Sequence, residues 1–298
     1  MDTPPSHPLL ILLVAVLTIL MVWQLSWWLL RLGGRASVAL VSQFPATQIM
    51  ARTHPLRAAL SRRAPRTYAF TVRRLTPRHF EGLPLTLMVV AALYLIFLLG
   101  GLIEDVVEAQ EIVAFNEAIN GSFVPYRTPY LVEIFAWITD LGGMPALTLV
   151  SFVTTGFLWT QHRGFLILPL WVTILGANAT TWAGKFGFDM ERPEFATSVT
   201  ALSPSFPSAH ATGSMAVLGF IAYLLARDLK HLRERFEVAF WSLTLIILIS
   251  FSRIFLSVHF ASDIAAGLLI GGFWLVVGFA IAERARFAHA RNLGDPRP

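Results

Sequence analysis

Seven apolar stretches, alternating with polar segments, organise this chain: residues 9–30, 84–103, 144–160, 165–183, 210–226, 237–256 and 261–282. Each reads as one membrane-spanning helix, because about 20 predominantly apolar residues suffice to cross a bilayer as an α-helix. The pattern predicts an all-α, polytopic membrane helical bundle. Residues 9–30 carry no charge, and Trp23, Trp27 and Trp28 lie near their end, where an interfacial aromatic belt is expected. This first stretch does not read as a cleaved signal. The preceding MDTPPSHP has an acid and no Lys or Arg, and no small-residue cleavage site follows. The expected layout is an N-terminal transmembrane helix over 1–30, an Arg-rich connector over 31–83, a six-helix membrane core over 84–283 and a tail over 284–298.

Charge adds the orientation. The connector 31–83 contains Arg31, Arg35, Arg52, Arg57, Arg62, Arg63, Arg66, Arg73, Arg74 and Arg78 against Glu81 alone. The segment 104–143 holds Glu104, Asp105, Glu108, Glu111, Glu117, Glu133 and Asp140 against Arg127. Within it, Ile112, Val113, Phe115, Ile119 and Phe123 suit the apolar side of a helix lying on the membrane. Cytoplasmic segments carry the excess of Lys and Arg, so the connector is expected inside and the acidic loop outside. Seven spans then put the N-terminus, 184–209 and 257–260 outside, and 161–164, 227–236 and the basic tail inside. Every basic loop falls on one side.

Composition excludes other classes. Of 298 residues, 55% are hydrophobic and 14% charged, well below the charged share of about 25% in soluble domains. There is no cysteine, hence no disulfide framework, no thiolate metal site and no thiol nucleophile. The net charge of +5 reflects loop topology and not a nucleic-acid surface. No closed set of metal ligands is evident, so no metal or cofactor is expected.

Three polar clusters sit at the ends of spans, all on the predicted outer face: Lys185 with Arg192-Pro193, then Pro207-Ser208-Ala209-His210, then Ser252-Arg253 with His259 and Asp263. If one helix contains both His259 and Asp263, their spacing of four places them on one side. The carboxylate then holds one imidazole nitrogen and leaves the other as nucleophile or base; a pair that merely caps the helix is the alternative. His210 opens a span, so the N–H groups around Ser208 and Ala209 lie at a helix N-terminus, which attracts anions. Ser208 could cap that helix or bond a phosphate oxygen. Lys185, Arg192 and Arg253 are cations on the side that the general bias disfavours. Lone cations there usually snorkel to headgroups, but several converging donors neutralise charge on phosphoryl oxygens. Lys185 and Lys230 are the only lysines. Asp189 and Glu191 are solvated acids or moderators of the positive pocket. His7, His54, His79, His162, His231 and His289 read as polar residues of loops and termini. Gly267 and Gly271, four apart, could allow close helix packing.

In this order, Lys-x6-Arg-Pro, Pro-Ser-x-His and Ser-Arg-x5-His-x3-Asp resemble the signature of the type 2 phosphatidic acid phosphatase superfamily, over roughly residues 85–282. The resemblance implies a six-helix core and metal-independent hydrolysis through a phosphohistidine. It implies His259 as nucleophile, Asp263 as its orienting partner and His210 as proton donor to the leaving group. Lys185, Arg192, Ser208, Arg253 and the backbone at Ala209 would bind phosphate. One departure is that the family's Pro-Ser-Gly-His reads Pro-Ser-Ala-His here; glycine allows backbone angles that alanine disfavours, while Ala209 keeps the N–H donor. The expected protein is a bacterial inner-membrane phosphatase with its site on the external face and membrane lipids as its surroundings. The expected substrates are lipid phosphates or diphosphates: undecaprenyl diphosphate, phosphatidic acid or phosphatidylglycerol phosphate. A lipid phosphotransferase and a non-catalytic transporter or scaffold are the alternatives.

Overall fold

In the computed structural model of the chain, residues 8–43, 58–59, 61–76, 82–108, 110–193 and 203–292 are described. His7, His54, His79, Arg52, Arg57, Arg78, Glu81 and Arg297 lie outside them. Ten helices are numbered here: α1 Pro8–Gln43, α2 Pro65–Leu75, α3 Leu83–Glu108, α4 Gln110–Ser122, α5 Pro129–Asp140, α6 Met144–Thr160, α7 Ile167–Phe188, α8 Ala209–Asp228, α9 Leu232–Phe255 and α10 Ala261–Asn292. No strand occurs among the described residues. Among the described residues seven helical segments are long and apolar enough to span a membrane, and the protein is an all-α polytopic bundle.

The chain divides into two compact units, one of Leu9–Thr86 and one of Met1–Pro8 with Leu87–Pro298. In the first, α1 runs as one helix into the expected connector, and α2 is a short basic helix with no buried residue. Thr86 Oγ1 donates to the Arg74 carbonyl at 3.0 Å, tying α2 to the start of α3.

In the second unit, α8 is the central helix. It packs against α6, α7, α9 and α10, and Ala211, Gly213, Ser214 and Ala216 are among its buried residues. Small side chains let neighbouring backbones approach, which is how helices associate where lipid tails offer no hydrophobic contrast. The pair Gly267 and Gly271 performs this role toward α8. A Cβ at Gly267 would lie 2.7 Å from the Ser208 carbonyl oxygen, and one at Gly271 would lie 2.7 Å from Met215 Cβ. Deeper in the bundle, Leu147, Leu166, Leu170, Val217, Phe220 and Leu275 form a contiguous core.

Three expectations need correction. The third span extends well before residue 144: α5 and α6 together cover Pro129–Thr160. Thr128 caps α5, with its side chain accepting from the Leu131 N–H, and Pro129 opens it. Glu133 and Asp140 made this stretch read as loop, but its other face is apolar. Phe135 lies against Phe255 in a tilted pair, with centroids 4.3 Å apart, and meets Phe251 edge-on at 5.5 Å. Secondly, α10 continues through Asn292, so the start of the tail is helical, and His289 stacks on Phe165 at 4.5 Å. Thirdly, His231 caps α9 in a reciprocal pair with Glu234 and is no loose loop residue. The helix expected within 112–123 is present as α4.

The α8–α10 approach yields a test. Gly267→Val places branched carbon against the Ser208 backbone, and overpacking of this kind costs about 1–3 kcal/mol. Nothing lies within 4 Å of a Cβ at Gly100. Thermal unfolding of detergent-purified protein should therefore show a lowered Tm for Gly267→Val and little change for Gly100→Ala.

Candidate active site

Four helix ends meet at one pole of the bundle and bring the three polar clusters together. Lys185 lies in the last turn of α7, Ser208–His210 open α8, Arg253 lies in the last turn of α9, and Asp263 lies in the first turn of α10. Arg192 follows α7. His259 sits in the turn between α9 and α10. It therefore lies outside the helix that holds Asp263, so the shared-helix premise for this pair does not apply.

The His–Asp pair forms nonetheless. His259 Nδ1 is 3.2 Å from Asp263 Oδ2, with both side chains almost fully buried. The same oxygen accepts the Phe260 N–H at 2.9 Å and the Ser205 hydroxyl. Capping and pairing are thus one arrangement: Asp263 closes its own helix start and holds the imidazole. Because a carboxylate only accepts, Nδ1 carries the proton and Nε2 keeps its lone pair. Arg192 Nη1 lies 3.3 Å from that Nε2. Burial pushes the His259 imidazolium down to about 4, with the bond to Asp263 acting in the opposite direction.

Arg192 is held by backbone. Its Nε donates to the Ser203 carbonyl at 2.7 Å and its Nη1 to the Val258 carbonyl at 2.6 Å. Burial lowers its pKa, against the pull of Asp263. Lys185, 2% exposed, donates to the carbonyls of Pro204 and Ser205 and has no carboxylate partner among the described residues. Arg253 Nη1 donates to Thr139 Oγ1 at 3.0 Å, while its Nε is buried without a partner among the described residues. The Ser208 hydroxyl is also buried with no partner among the described residues, and it does not cap α8. His210 is half-buried, within electrostatic reach of Arg253, His259, Arg192 and Lys185.

Three cations thus crowd around one committed carboxylate, Asp263, with the exposed Asp140 acting on Arg253 from the margin. Buried donors in native structures have acceptors. Phosphate oxygens would supply acceptors for Ser208 Oγ and Arg253 Nε, and negative charge for the cations. Every candidate site residue falls within this one pole. Ala209 is the first residue of α8, and its φ is negative, so the departure from glycine involves no left-handed backbone here. Asp189 and Glu191 are exposed, as solvated acids are. Asp189 ends α7 in the left-handed conformation (φ 46°), its N–H bonded to the Lys185 carbonyl at 3.1 Å.

Sequence reasoning missed two contributors. Ser205 bonds the Asp263 carboxylate and lies 3.4 Å from His259 Nδ1. Thr139 receives Arg253 from α5. Neither carries a local signal, since each is one hydroxyl among many and becomes distinct only through its distant partner.

These features define a multi-pass membrane protein with a buried histidine–carboxylate pair and three cations gathered at one pole. Residues 166–287 match the PAP2 superfamily. The chain is 30% identical over 196 residues to "Phosphatidylglycerophosphatase B" of Bacillus subtilis, covering 63% of this chain and 93% of that protein. It also resembles the crystal structure of a transmembrane PAP2-type phosphatidylglycerolphosphate phosphatase from Bacillus subtilis. There the TM-score is 0.58 at 25% identity, over 66% of this chain and 96% of that one. A likeness to Aquifex aeolicus LpxE has a TM-score of 0.43 at 24% identity, over 56% and 93% of the two chains. The chain belongs to the PAP2 superfamily and is a membrane lipid phosphatase.

The His259 environment makes a pH prediction. Folding holds the imidazole neutral to about pH 4, where an ordinary histidine is half-protonated near 6.5. In the folded protein at pH 6, His259 should therefore remain uncharged. Imidazole 15N resonances, assigned with His259→Ala, should show its midpoint near 4; a midpoint at 6.5 would contradict the burial argument.

Proposed function

We propose that this protein hydrolyses a lipid phosphate or diphosphate through a phosphohistidine on His259, at the external face of a bacterial inner membrane. The observation that carries the reading is the bipolar environment of His259: Nδ1 on Asp263, and Nε2 unprotonated beside Arg192 among three cations. The names of the relatives favour phosphatidylglycerol phosphate as substrate; phosphatidic acid and undecaprenyl diphosphate have the same reacting group.

The reaction runs in two steps. The phosphate oxygens lie against Lys185, Arg192, Arg253, the Ser208 hydroxyl and the N–H groups opening α8, and these donors stabilise charge in the transition state. The Nε2 lone pair of His259 forms a bond to phosphorus as the bond to the lipid oxygen breaks. Protonated His210 gives its proton to that departing oxygen, releasing the lipid alcohol, or the lipid monophosphate from a diphosphate. Neutral His210 then takes a proton from water, whose oxygen attacks phosphorus. The P–N bond breaks, and inorganic phosphate leaves. Asp263 stabilises the imidazole in both steps.

A cavity of about 200 Å³ adjoins His210 and supports a lipid leaving group. Met144, Leu147, Trp171, Ile174 and Val217 are among its lining residues, so it runs from the polar pole down between α6, α7 and α8. An alkyl chain attached to the departing oxygen would occupy such a space, which suits a lipid alcohol better than a sugar.

Rapid-quench trapping of acid-labile phosphohistidine tests the roles. Wild type should form it, and His259→Ala should not. His210→Ala should be slowed severely with a lipid substrate, because an alkoxide leaves poorly. With p-nitrophenyl phosphate, whose leaving group needs little protonation, His210→Ala should recover part of a loss of about 10²–10⁴-fold. Phosphoenzyme in His259→Ala, or none in wild type under single turnover, would refute the assignment.

The orientation is tested separately. The chain has no cysteine, so single-cysteine variants report directly. Val124, 58% exposed, lies at the same end as the site, and the exposed Lys230 lies in the loop between α8 and α9. In spheroplasts an impermeant maleimide should label Val124→Cys, and Lys230→Cys only after permeabilisation. The reverse order would place the site inside.

A further inference from the structure

Beside the phosphate site lies a second polar cluster, on α4 and the turn that follows it, whose side chains hold the turn carrying His259. Asn116 is 6% exposed, and its carboxamide makes two bonds to one residue. Its Oδ1 accepts the Ser262 N–H at 3.2 Å, and its Nδ2 donates to Ser262 Oγ at 2.8 Å. Ser262 is the second residue of α10, where backbone N–H groups have no partner within the helix. The residue before α10 is Phe260, whose side chain cannot cap. Asn116 supplies the missing acceptor from a segment 146 residues away.

Asn120, one helical turn further along α4, donates from Nδ2 to Ser257 Oγ at 3.0 Å. Ser257 has φ 56°, a left-handed conformation that costs a residue with a side chain and needs outside support. Arg127 grips the start of the same turn. Its Nε donates to the Phe255 carbonyl at 2.7 Å, and Nη2 to the Ile254 carbonyl at 3.3 Å. Those carbonyls end α9; that of Ile254 also accepts the Ser257 N–H at 3.0 Å, and a cation there suits the helix dipole. Arg127 Nη2 further bonds the carboxamide oxygen of Asn120, so these two residues are joined, while Asn116 acts one turn earlier on the same helix.

The contacts fall at 254–255, 257 and 262, on both sides of His259. The reacting imidazole otherwise hangs on a turn of a few residues between two helices. We propose that Asn116, Asn120 and Arg127 are positioning residues: a clamp that holds Nε2 of His259 at attacking distance and angle while touching neither substrate nor reacting atoms. The proposal rests on the reading of His259 as nucleophile. Misplacement by about 1 Å can cost roughly 100-fold in rate.

The test compares purified variants in detergent with a lipid phosphate and follows phosphoenzyme formation. Asn116→Leu keeps the shape and removes both bonds. Its kcat and phosphoenzyme formation rate should fall together by roughly 10–100-fold, with KM within about twofold, because substrate contacts are untouched. Asn116→Asp should recover most of the rate, since the Ser262 N–H and hydroxyl can both donate to a carboxylate. Asn120→Ala should slow the wild type but add nothing in a Ser257→Gly background, where the left-handed turn needs no support. If Asn116→Leu does not yield a monodisperse protein, Asn120→Ala with and without Ser257→Gly carries the decision. Wild-type rates in Asn116→Leu and Asn120→Ala would overturn the clamp, as would a fall in which KM alone changes. Mapping the phosphorylated residue in wild type keeps the two ideas apart. Label on His259 with unaffected variants defeats the clamp alone, whereas label on another residue defeats the nucleophile assignment and the clamp with it.

Discussion

The structure depends on a concentration of positive charge in a place where charge is expensive. Lys185 is almost wholly buried yet, among the described residues, bonded only to carbonyls, and Arg192 and Arg253 lie near it. Taking ions out of water costs several kcal/mol each unless partners compensate. Among the described residues the single buried carboxylate near them, Asp263, is already engaged by His259, Ser205 and a backbone N–H. The surrounding backbone offsets part of the cost: the carbonyls of Ser203, Pro204, Ser205 and Val258 all face the cations. What remains is a net demand for negative charge, which a phosphate dianion meets.

That demand explains much of the local architecture. The carbonyls come from two segments, 203–205 and the turn before α10, so both must be pinned. Residues 203–205 are held by Lys185 and Arg192 themselves. The Ser208 N–H bonds the Asp263 carbonyl at 3.1 Å, which joins the start of α8 to the start of α10. Gly267 lets the two helices come close enough for this bond to form. The turn before α10 is gripped from the outside by Asn116, Asn120 and Arg127. Binding groups and their supports therefore belong to one network, and the apolar bundle beneath supplies the rigid helix ends.

The division of labour along the helices follows the same logic. Near the pole, α8 is small-sided, with Gly213 against Leu147 and Ala211 against Gly267, so cations from three other segments can reach its N-terminus. Deeper, Phe220, Leu170 and Leu166 fill the interior. The cavity beside His210 lies between these two zones, polar at one end and apolar along its length. An arrangement graded in this way suits a ligand with a charged head and an oily tail.

How much of this was legible in the sequence can be argued residue by residue. The spans were visible because lipid imposes a length and composition on any crossing helix, and their ends marked Lys185, Ser208, His210, Arg253 and Asp263 as polar residues at one pole. The order and spacing of the three clusters carried the family. Local pattern failed wherever a partner is distant. Glu133 and Asp140 disguised α5, because the aromatic contacts of Phe135 with α9 are invisible to periodicity. The His259–Asp263 pair was expected on one helix, but a turn and a helix start create it, since Asp263 also caps the Phe260 N–H. Ser205, Thr139, Asn116 and Asn120 have no distinguishing neighbours in the chain; their roles exist only through hydrogen bonds to residues tens of positions away or more. The sequence by itself determined which groups are available and at which span ends they sit, because hydropathy and charge act locally. Only the tertiary structure decided which nitrogen of His259 is free and what holds it in place, because tautomer and orientation depend on partners that chain order does not bring together.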